Sequence, residues 1–513
     1  MTTPVLASTT PEELDEILAA AAAARRPWAR RSAGDRAAVL RAVAGALDTA
    51  AGTLVPIAQD ETHLPSVRLT GELTRTTFQL RLHAGEIETG RPFDARIDHA
   101  DPTWGMGPRP DLRRMQVPLG PVVVFAASNF PFAFSVAGGD TSSALAAGCP
   151  VVLKSHPGHR RLSDATADVV VTALRAANAP HGLFTIVHGE EAGRATVRDP
   201  RIAAGAFTGS IAGGRALFDL AVSRPVPIPF FGELGSVNPV FVTRTAAARR
   251  ADTIAAEFAG SYTLGAGQFC TKPGLLFVPS DSDIPRRLAE HAGYQAQPLL
   301  NQQIQAGFER SMAHLREHPD VRPLVSAPNG PAGEPGPVLM ITSVAAVLAD
   351  PGTLLEECFG PAALVITYDD ERQLLEIAER LQGQLTITVV GEADDAVAPA
   401  LIDVAAERAG RVLWNQWPTG VSVTHAQQHG GPYPATTAAA TTSVGTAAIA
   451  RFLRPVAYQG LPQALLPALL QDADPPGVAS RLVDGALAWY RGRRCQDCVT
   501  GARVPGVDIK AGL

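Results

Sequence analysis

The chain has 513 residues, 46% of them hydrophobic and 18% charged, with a formal net charge of −6. That length exceeds one ordinary core and implies two or three domains, and the apolar share excludes a disordered or fibrous chain. The acidic balance leaves no basic surplus for nucleic acid or an anionic membrane surface, and no run of about 18 apolar residues reads as a membrane span.

The N-terminal region reads as helices. Thr10-Pro11-Glu12-Glu13 offers a capping Thr, Pro at the first helical position and Glu at the third. The same stretch, with Asp15, lacks a basic-then-apolar leader pattern, so a cytoplasmic location is expected. Leu40, Val43 and Leu47 recur at helical spacing, as do Leu69, Leu73 and Leu80. The Pro-rich stretch Asp101 to Pro118 breaks that pattern and predicts an extended excursion. From Val122 short apolar runs alternate with Ala-rich helical segments. The strands are expected at Val122 to Phe125, Val151 to Leu153, Phe184 to Val187 and Gly205 to Phe207. Helices are expected around Ser135 to Ala147, Ser163 to Ala176 and Ala212 to Ala221. Such alternation implies a parallel sheet covered on both faces, which binds ligands at the carboxyl ends of its strands. A second alternating region runs from Pro239 to about Asn415, with strands at Val240 to Val242, Leu275 to Val278, Leu364 to Tyr368 and Leu385 to Val390. Helices around Ala246 to Ala259 and Glu371 to Leu381 separate some of them. A Gly- and Thr-rich stretch, Gly430 to Thr446, leads to a strand-like Phe452 to Tyr458, and an irregular tail begins at Arg491.

Five cysteines, Cys149, Cys270, Cys358, Cys495 and Cys498, stand at uneven spacing and form no disulfide framework. Cys495 and Cys498 make a lone Cys-x-x-Cys without a second pair or a nearby His, and no metal is expected. Among 44 Lys and Arg residues only Lys154, Lys272 and Lys510 are lysine. In a chain so biased toward Arg, Lys154 and Lys272 mark places that call for a compact ammonium.

Four constellations could carry chemistry. Cys270 follows Leu264-Gly-Ala-Gly-Gln-Phe, whose glycines imply a tight turn presenting the thiol; a reactive thiolate needs such exposure and positive surroundings. The spacing fits a small buried hydrophobe equally well, the reading given to Cys149 and Cys358. Glu233, in Phe231-Gly-Glu-Leu-Gly235, is either a general base with a raised pKa or a solvated loop carboxylate. Asn129, in Ser128-Asn-Phe-Pro131 after the Val122 strand, is placed to donate to an oxyanion or simply to make a turn. Phe207-Thr-Gly-Ser210 opens a helix with Gly213 and Gly214, where amide groups suit a phosphate, although the chain lacks a Gly-x-Gly-x-x-Gly fingerprint.

Together and in this order these pieces resemble the aldehyde dehydrogenase superfamily, from about Pro11 to Trp489. The motifs are Asn-Phe-Pro, the Lys after the second strand, Phe-Thr-Gly-Ser, Glu-Leu-Gly, Gly-Gln-x-Cys and Glu357-Cys-Phe-Gly-Pro361. The likeness is closest to α-ketoglutaric semialdehyde (2,5-dioxopentanoate) dehydrogenases, through Ala127 to Asp140, Gly430 to Thr436, Thr442 to Ile449 and Arg451 to Pro455. The resemblance implies an α/β fold with a Rossmann-like cofactor domain (1–100 and 119–234), an α/β catalytic domain (235–430) and a β oligomerisation arm. The arm and C-terminal segment would be 101–118 and 431–490, followed by the tail at 491–513. It implies Cys270 as nucleophile, Glu233 as the base that activates water, and Asn129 with the Cys270 amide as oxyanion donors. Lys154 and Glu357 would hold cofactor ribose hydroxyls, Phe359 would sit beside the nicotinamide ribose, and Gly209 and Ser210 would form the pyrophosphate-side turn. Ser128, Gly214 and Leu234 complete the expected cofactor-binding set.

The cofactor implied is NAD or NADP. Related NAD-preferring enzymes carry a carboxylate three residues after the Lys. Here Pro157 takes that place, in Lys154-Ser-His-Pro-Gly-His-Arg-Arg161, so NADP is expected to be accepted, even preferred. The substrate implied is a small aldehyde, 2,5-dioxopentanoate, with His425, His429 and Arg454 as candidate anchors for its far carboxylate. The alternatives are a broad-specificity or fatty aldehyde dehydrogenase, an acylating enzyme using coenzyme A, which Glu233 argues against, and a catalytically silent homologue. A homodimer or homotetramer is expected from the arm.

Overall fold

The computed structural model describes residues 7–291, 293–473 and 480–489. Cys495, Cys498, Lys510 and the tail expected from residue 491 lie outside them.

Five short strands, Val122–Phe125, Val151–Lys154, Phe184–Val187, Ala204–Thr208 and Phe230–Glu233, form one parallel sheet. Their spatial order is third, second, first, fourth, fifth. Each strand alternates between two cores, as a pleated strand must. Val122, Val124, Val151 and Leu153 pack with Leu40, Val43 and Leu80 of the N-terminal helices, whereas Val123, Phe125 and Val152 pack with Leu14, Leu18 and Val197 on the other face. Burial on both faces is why these segments read as continuous apolar runs. The order reverses between Val122–Phe125 and Ala204–Thr208, the point where such sheets open a ligand crevice at their carboxyl ends. Ser128 and Asn129 follow the first of these strands, and Gly209 and Ser210 follow the second.

The N-terminal helix Pro11–Ala29 starts in the expected capping box. The Thr10 amide donates to Glu13 Oε2 at 2.8 Å, and Thr10 Oγ1 accepts from the Glu13 amide at 3.2 Å. Helices Ala33–Thr49 and Ser66–Glu88 bury the leucines that mark them in the sequence. The helix expected from Ser135 begins only at Gly139. Ahead of it the amides of Phe132 and Ala133 donate to the Glu72 carboxylate, at 2.8 and 2.9 Å, and fix an irregular turn instead.

A second sheet has seven strands. In spatial order they are Arg322–Ser326, Val338–Ser343, Ala362–Tyr368, Leu275–Pro279, Val240–Val242, Gln384–Val390 and Ala409–Trp414. All neighbours are parallel except the first pair. The two edge strands, Arg322–Ser326 and Ala409–Trp414, go beyond the sequence expectation. They are half-exposed and interrupted by Pro or Arg, so they lack the apolar run of their buried neighbours. Helix Arg244–Thr263 covers one face with Ile254, Phe258 and Tyr262.

The arm is a third sheet. Leu453–Gln459 pairs antiparallel with the whole of Leu112–Pro118, which in turn pairs with Arg96–Asp98; the hairpin Ser480–Val483 and Ala486–Trp489 completes it. Two boundaries shift. Arg96–Asp98 belongs to this sheet and not to the cofactor unit, and the segment after Gly430 returns to the first sheet. There Thr436 bridges Glu233, and the Leu234 amide donates to Ala435 O at 2.8 Å. Among the described residues no single helix is long and apolar enough to cross a membrane.

Candidate active site

Helix Arg244–Thr263 ends in three successive left-handed residues, Gly265, Ala266 and Gly267, with φ of 57°, 55° and 66°. A Cβ on Gly267 would collide with Gly360 O, so the chain passes here only without a side chain. This turn lifts Cys270 to a half-buried position. The loop is fixed from beneath by Asn238, whose Nδ2 donates to Cys270 O at 2.8 Å and to Lys272 O at 2.9 Å. Asn238 is fully buried, and its own amide donates to Gln384 Oε1, which also accepts from Ser236 Oγ and the Val237 amide.

Glu233 ends the fifth strand of the first sheet and is 3% exposed, which removes the solvated-loop reading. Ser443 Oγ donates to its Oε2 in a short hydrogen bond, and His429 Nε2 stands 2.7 Å from its Oε1. Oε1 has no well-aligned hydrogen bond, whereas Nε2 is in hydrogen-bond geometry with Cys270 Sγ at 3.5 Å. The imidazole therefore approaches the carboxylate off-axis and addresses the sulfur. Sulfur, imidazole nitrogen and carboxylate oxygen all lie within 4.8 Å of one another.

Charge follows from this packing. Burial alone would raise the Glu233 carboxyl, but His429, Ser443 and Arg451 overcome it, so Glu233 lies below its ordinary value and not above it as its sequence context implies. The Cys270 thiol is pushed well up, first by burial and then by Glu233 and Glu357, against the positive charge of Arg411. The positive surroundings expected around the sulfur are replaced by a carboxylate and an imidazole. A thiol in this setting is neutral until a neighbour takes its proton.

Asn129 is buried beside the sulfur loop, and its Nδ2 donates to Gln268 O at 3.1 Å, leaving a second N–H available. The Cys270 amide takes no backbone partner among the described residues. Arg68 Nη2 donates to Asn129 O at 2.8 Å and holds the residue from the helix side.

The remaining candidates line the carboxyl edge of the first sheet. Lys154 is paired with Phe125 across the strands, is half-buried and makes no hydrogen bond among the described residues. Gly209 and Ser210 are exposed at the mouth of helix Ile211–Val222, where Ser210 Oγ accepts from the Gly213 amide at 3.2 Å. Leu234 Cδ2 occupies the space that a Cβ on Gly214 would need, so the two residues are in direct contact. Glu357 Oε2 approaches Gly235 in the same way. Burial raises the Glu357 carboxyl to about 7, against Lys272 and the Ser236 amide. Phe359 is half-buried beyond it, and Ser128 is half-buried ahead of Asn129.

Against known families, the model of the aldehyde dehydrogenase family matches residues 4–433. The chain belongs to the aldehyde dehydrogenase family. Its chemistry is the NAD(P)-dependent oxidation of an aldehyde. This aldehyde dehydrogenase is 42% identical to an α-ketoglutaric semialdehyde dehydrogenase of Acinetobacter baylyi, over 93% of this chain and 91% of the relative. It is 44% identical to α-ketoglutaric semialdehyde dehydrogenase 2 of Azospirillum brasilense, over 88% and 87%. Among solved structures it shares the fold of a 3,6-anhydro-L-galactose dehydrogenase in complex with NAP. The TM-score is 0.74 at 21% identity, covering 88% of this chain and 92% of the other.

Not every residue singled out in this dehydrogenase reaches the site. Arg454 is exposed on the arm strand opposite Val117. His425 sits at the far end of helix Ser66–Glu88, 3.2 Å from Thr446 Oγ1 and 3.6 Å from Glu86. His429 is 1% exposed and faces the sulfur, a better place for proton transfer than for a distal anchor. Sequence reasoning misses Asn238, Gln384 and Ser443. Gln384 lies more than 140 residues from the amides it receives, so no local spacing announces it. Cys149 and Cys358 are buried, as expected of small hydrophobes. Lys272 does use a compact ammonium. Its Nζ donates to Cys358 O, Gly360 O and Ala362 O at 2.5, 3.3 and 2.7 Å.

Proposed function

We propose that this aldehyde dehydrogenase oxidises 2,5-dioxopentanoate (α-ketoglutaric semialdehyde) to 2-oxoglutarate through a thioester on Cys270. The observation that carries the substrate is 42–44% identity, over most of the chain, to two relatives of that name. The Cys270 thiol passes its proton to His429 as the sulfur closes on the aldehyde carbon. The carbonyl oxygen becomes an oxyanion that Asn129 Nδ2 and the Cys270 amide receive; one such donor is worth ~2.7–4 kcal/mol. When bound, the dinucleotide supplies the acceptor for the hydride that leaves this carbon, and a thioester remains on Cys270. Glu233 then takes a proton from the water that attacks the thioester, the carbon–sulfur bond breaks and the sulfur regains a proton.

Lys154 and Glu357 are the residues for the ribose hydroxyls. Each is a half-buried charge that lacks a side-chain hydrogen-bond partner, so each fits a hydroxyl-bearing ligand. Phe359 flanks the nicotinamide side, and Ser128, Gly209, Ser210, Gly214 and Leu234 complete the cleft. NADP is accepted in this reading, because Pro157 leaves no carboxylate to repel a 2′-phosphate. Arg160 and Arg161 add little, since Asp164 and Asp60 already face them at 3.8 and 2.8 Å. His156 is neutral, its pKa lowered to about 3 first by burial and then by His159. Two further parts belong to this proposal. The edge strand Leu453–Gln459 supports a homodimer or homotetramer, and the free thiols Cys149, Cys270 and Cys358 support a reducing, cytoplasmic setting.

A panel of aldehydes with NAD and NADP tests the reading. The expected outcome is the highest kcat/KM for 2,5-dioxopentanoate, with turnover on NADP as well as on NAD. Equal or better turnover of long-chain aldehydes would overturn the substrate, and a strong preference for NAD would overturn the cofactor choice. Light scattering tests the assembly, with a monomer as the contrary result.

A further inference from the structure

Helix Ser66–Glu88 lays a charged stripe beside the sulfur loop. Arg68, Glu72 and Arg75 stand four and three residues apart and so share one face. Glu72 is buried and spends its Oε1 on the Phe132 and Ala133 amides, while Oε2 has no partner. Its one carboxyl group is shared between two guanidinium groups. Arg68 is partly committed: its Nη2 holds Asn129 O and its guanidinium lies 4.8 Å from the Phe269 ring centroid and 5.2 Å from that of Phe130, while its buried Nη1 has no hydrogen-bond partner among the described residues.

Arg75 is different. Its guanidinium lies 5.2 Å from the Phe134 ring centroid, and its one hydrogen bond is a long contact of 3.5 Å to Val421 O. No carboxylate comes within ion-pair distance of it among the described residues. Arg75 is half-buried, and a guanidinium has five donors in a rigid fork, so most of this fork is open to an acceptor arriving from the cleft. Phe134 lies 6.2 Å from the His429 ring, which touches Cys270 Sγ, so a single aromatic side chain separates Arg75 from the group beside the nucleophile. Burial lowers Arg75 from its ordinary value, opposed by Glu72 and then by Cys270 and Glu233, which is consistent with that proximity.

We propose that Arg75 is the specificity-determining residue that receives a carboxylate at the far end of the substrate, with Arg68 beside it. The site thereby selects an aldehyde bearing an anionic group opposite its reacting carbon over a neutral aldehyde of equal length. This rests on the substrate reading given above and names the residue responsible for it.

The test is the ratio of kcat/KM for 2,5-dioxopentanoate to that for pentanal, in the wild-type enzyme, Arg75→Gln and Arg75→Lys. Charge-assisted hydrogen bonds of this kind make the expected fall in the ratio about 10- to 100-fold for Arg75→Gln. Arg75→Lys, keeping the charge without the fork, is expected to recover part of it. The competitive inhibition constant of glutarate is expected to rise in parallel, a readout that needs no turnover of the acid. A wild-type ratio near one overturns the substrate reading and the anchor together. A high wild-type ratio that persists in a folded Arg75→Gln enzyme, with glutarate inhibition unchanged, overturns the anchor alone. Should Arg75→Gln fail to fold, Arg75→Lys decides: a ratio equal to wild type overturns the anchor, and a reduced ratio supports it.

Discussion

The sulfur corner and the sheet edge proposed for the dinucleotide are built by opposite rules. Around Cys270 most of the polar groups are engaged. Asn238 ties down the loop, Gln384 ties down Asn238, Ser443 holds Glu233, and His429 faces the sulfur. Along the edge of the first sheet, among the described residues, Lys154 makes no hydrogen bond, Glu357 has only a backbone amide, and Gly209 and Ser210 face outward. The contrast separates what must be rigid before substrate arrives from what a ligand completes. Preorganised groups at the reacting carbon lower the barrier, whereas unsatisfied groups at the edge are repaid by binding.

Perturbing the sulfur corner should therefore strike kcat, and perturbing the edge should strike affinity. Cys270→Ser is expected to lose about 10⁴- to 10⁶-fold in kcat with any aldehyde, measured at saturating dinucleotide. For Glu233→Gln the expected loss in steady-state kcat is about 10²- to 10⁴-fold. A stopped-flow burst of reduced dinucleotide should survive, because only thioester hydrolysis is blocked; loss of the burst would make Glu233 a partner in the first step. His429→Asn is expected to cost about 10²-fold and to slow alkylation of Cys270 by iodoacetamide, with a changed pH profile for that alkylation. An unaltered alkylation profile would reduce His429 to a packing role.

At the edge the effects should be smaller. Lys154→Met is expected to raise KM for the dinucleotide about 10- to 100-fold with kcat little changed. A comparable loss in kcat would mean that the edge is as preorganised as the corner. The Glu357 carboxyl, raised to about 7, disfavours the charged form in the folded protein, so its contribution to stability is present below its ordinary value and lost as pH rises through about 7. With Glu357 as the proposed acceptor for a ribose hydroxyl, dinucleotide binding is expected to weaken as pH falls through the same range. Glu357→Gln should flatten that titration of the dissociation constant.

The same division governs what is legible without coordinates. Strands buried on both faces, such as Val122–Phe125 and Val240–Val242, announce themselves as apolar runs, and the turn before Cys270 announces itself in glycines. Asn129, Cys270 and Glu233 are legible because each sits in a local motif beside a strand or helix end. The strand Phe230–Glu233 is hidden by the prolines before it, and the edge strand Arg322–Ser326 by its polar residues. His429 stands out in the sequence only as a distal anchor, because its partners Glu233 and Cys270 lie more than 150 residues away. The direction of the Glu233 shift is likewise out of reach, since it depends on His429, Ser443 and Arg451 arriving from the C-terminal segment.

Lys272 ties the two regions to each other. Its ammonium grips three carbonyls in the segment that carries Glu357 and Phe359, while its own carbonyl shares the Asn238 amide with Cys270. Buried charge-assisted bonds of this number do not stretch independently. One side chain therefore links the segment proposed to face the ribose with the loop that carries the sulfur, a route by which a pull on the first would reach the second.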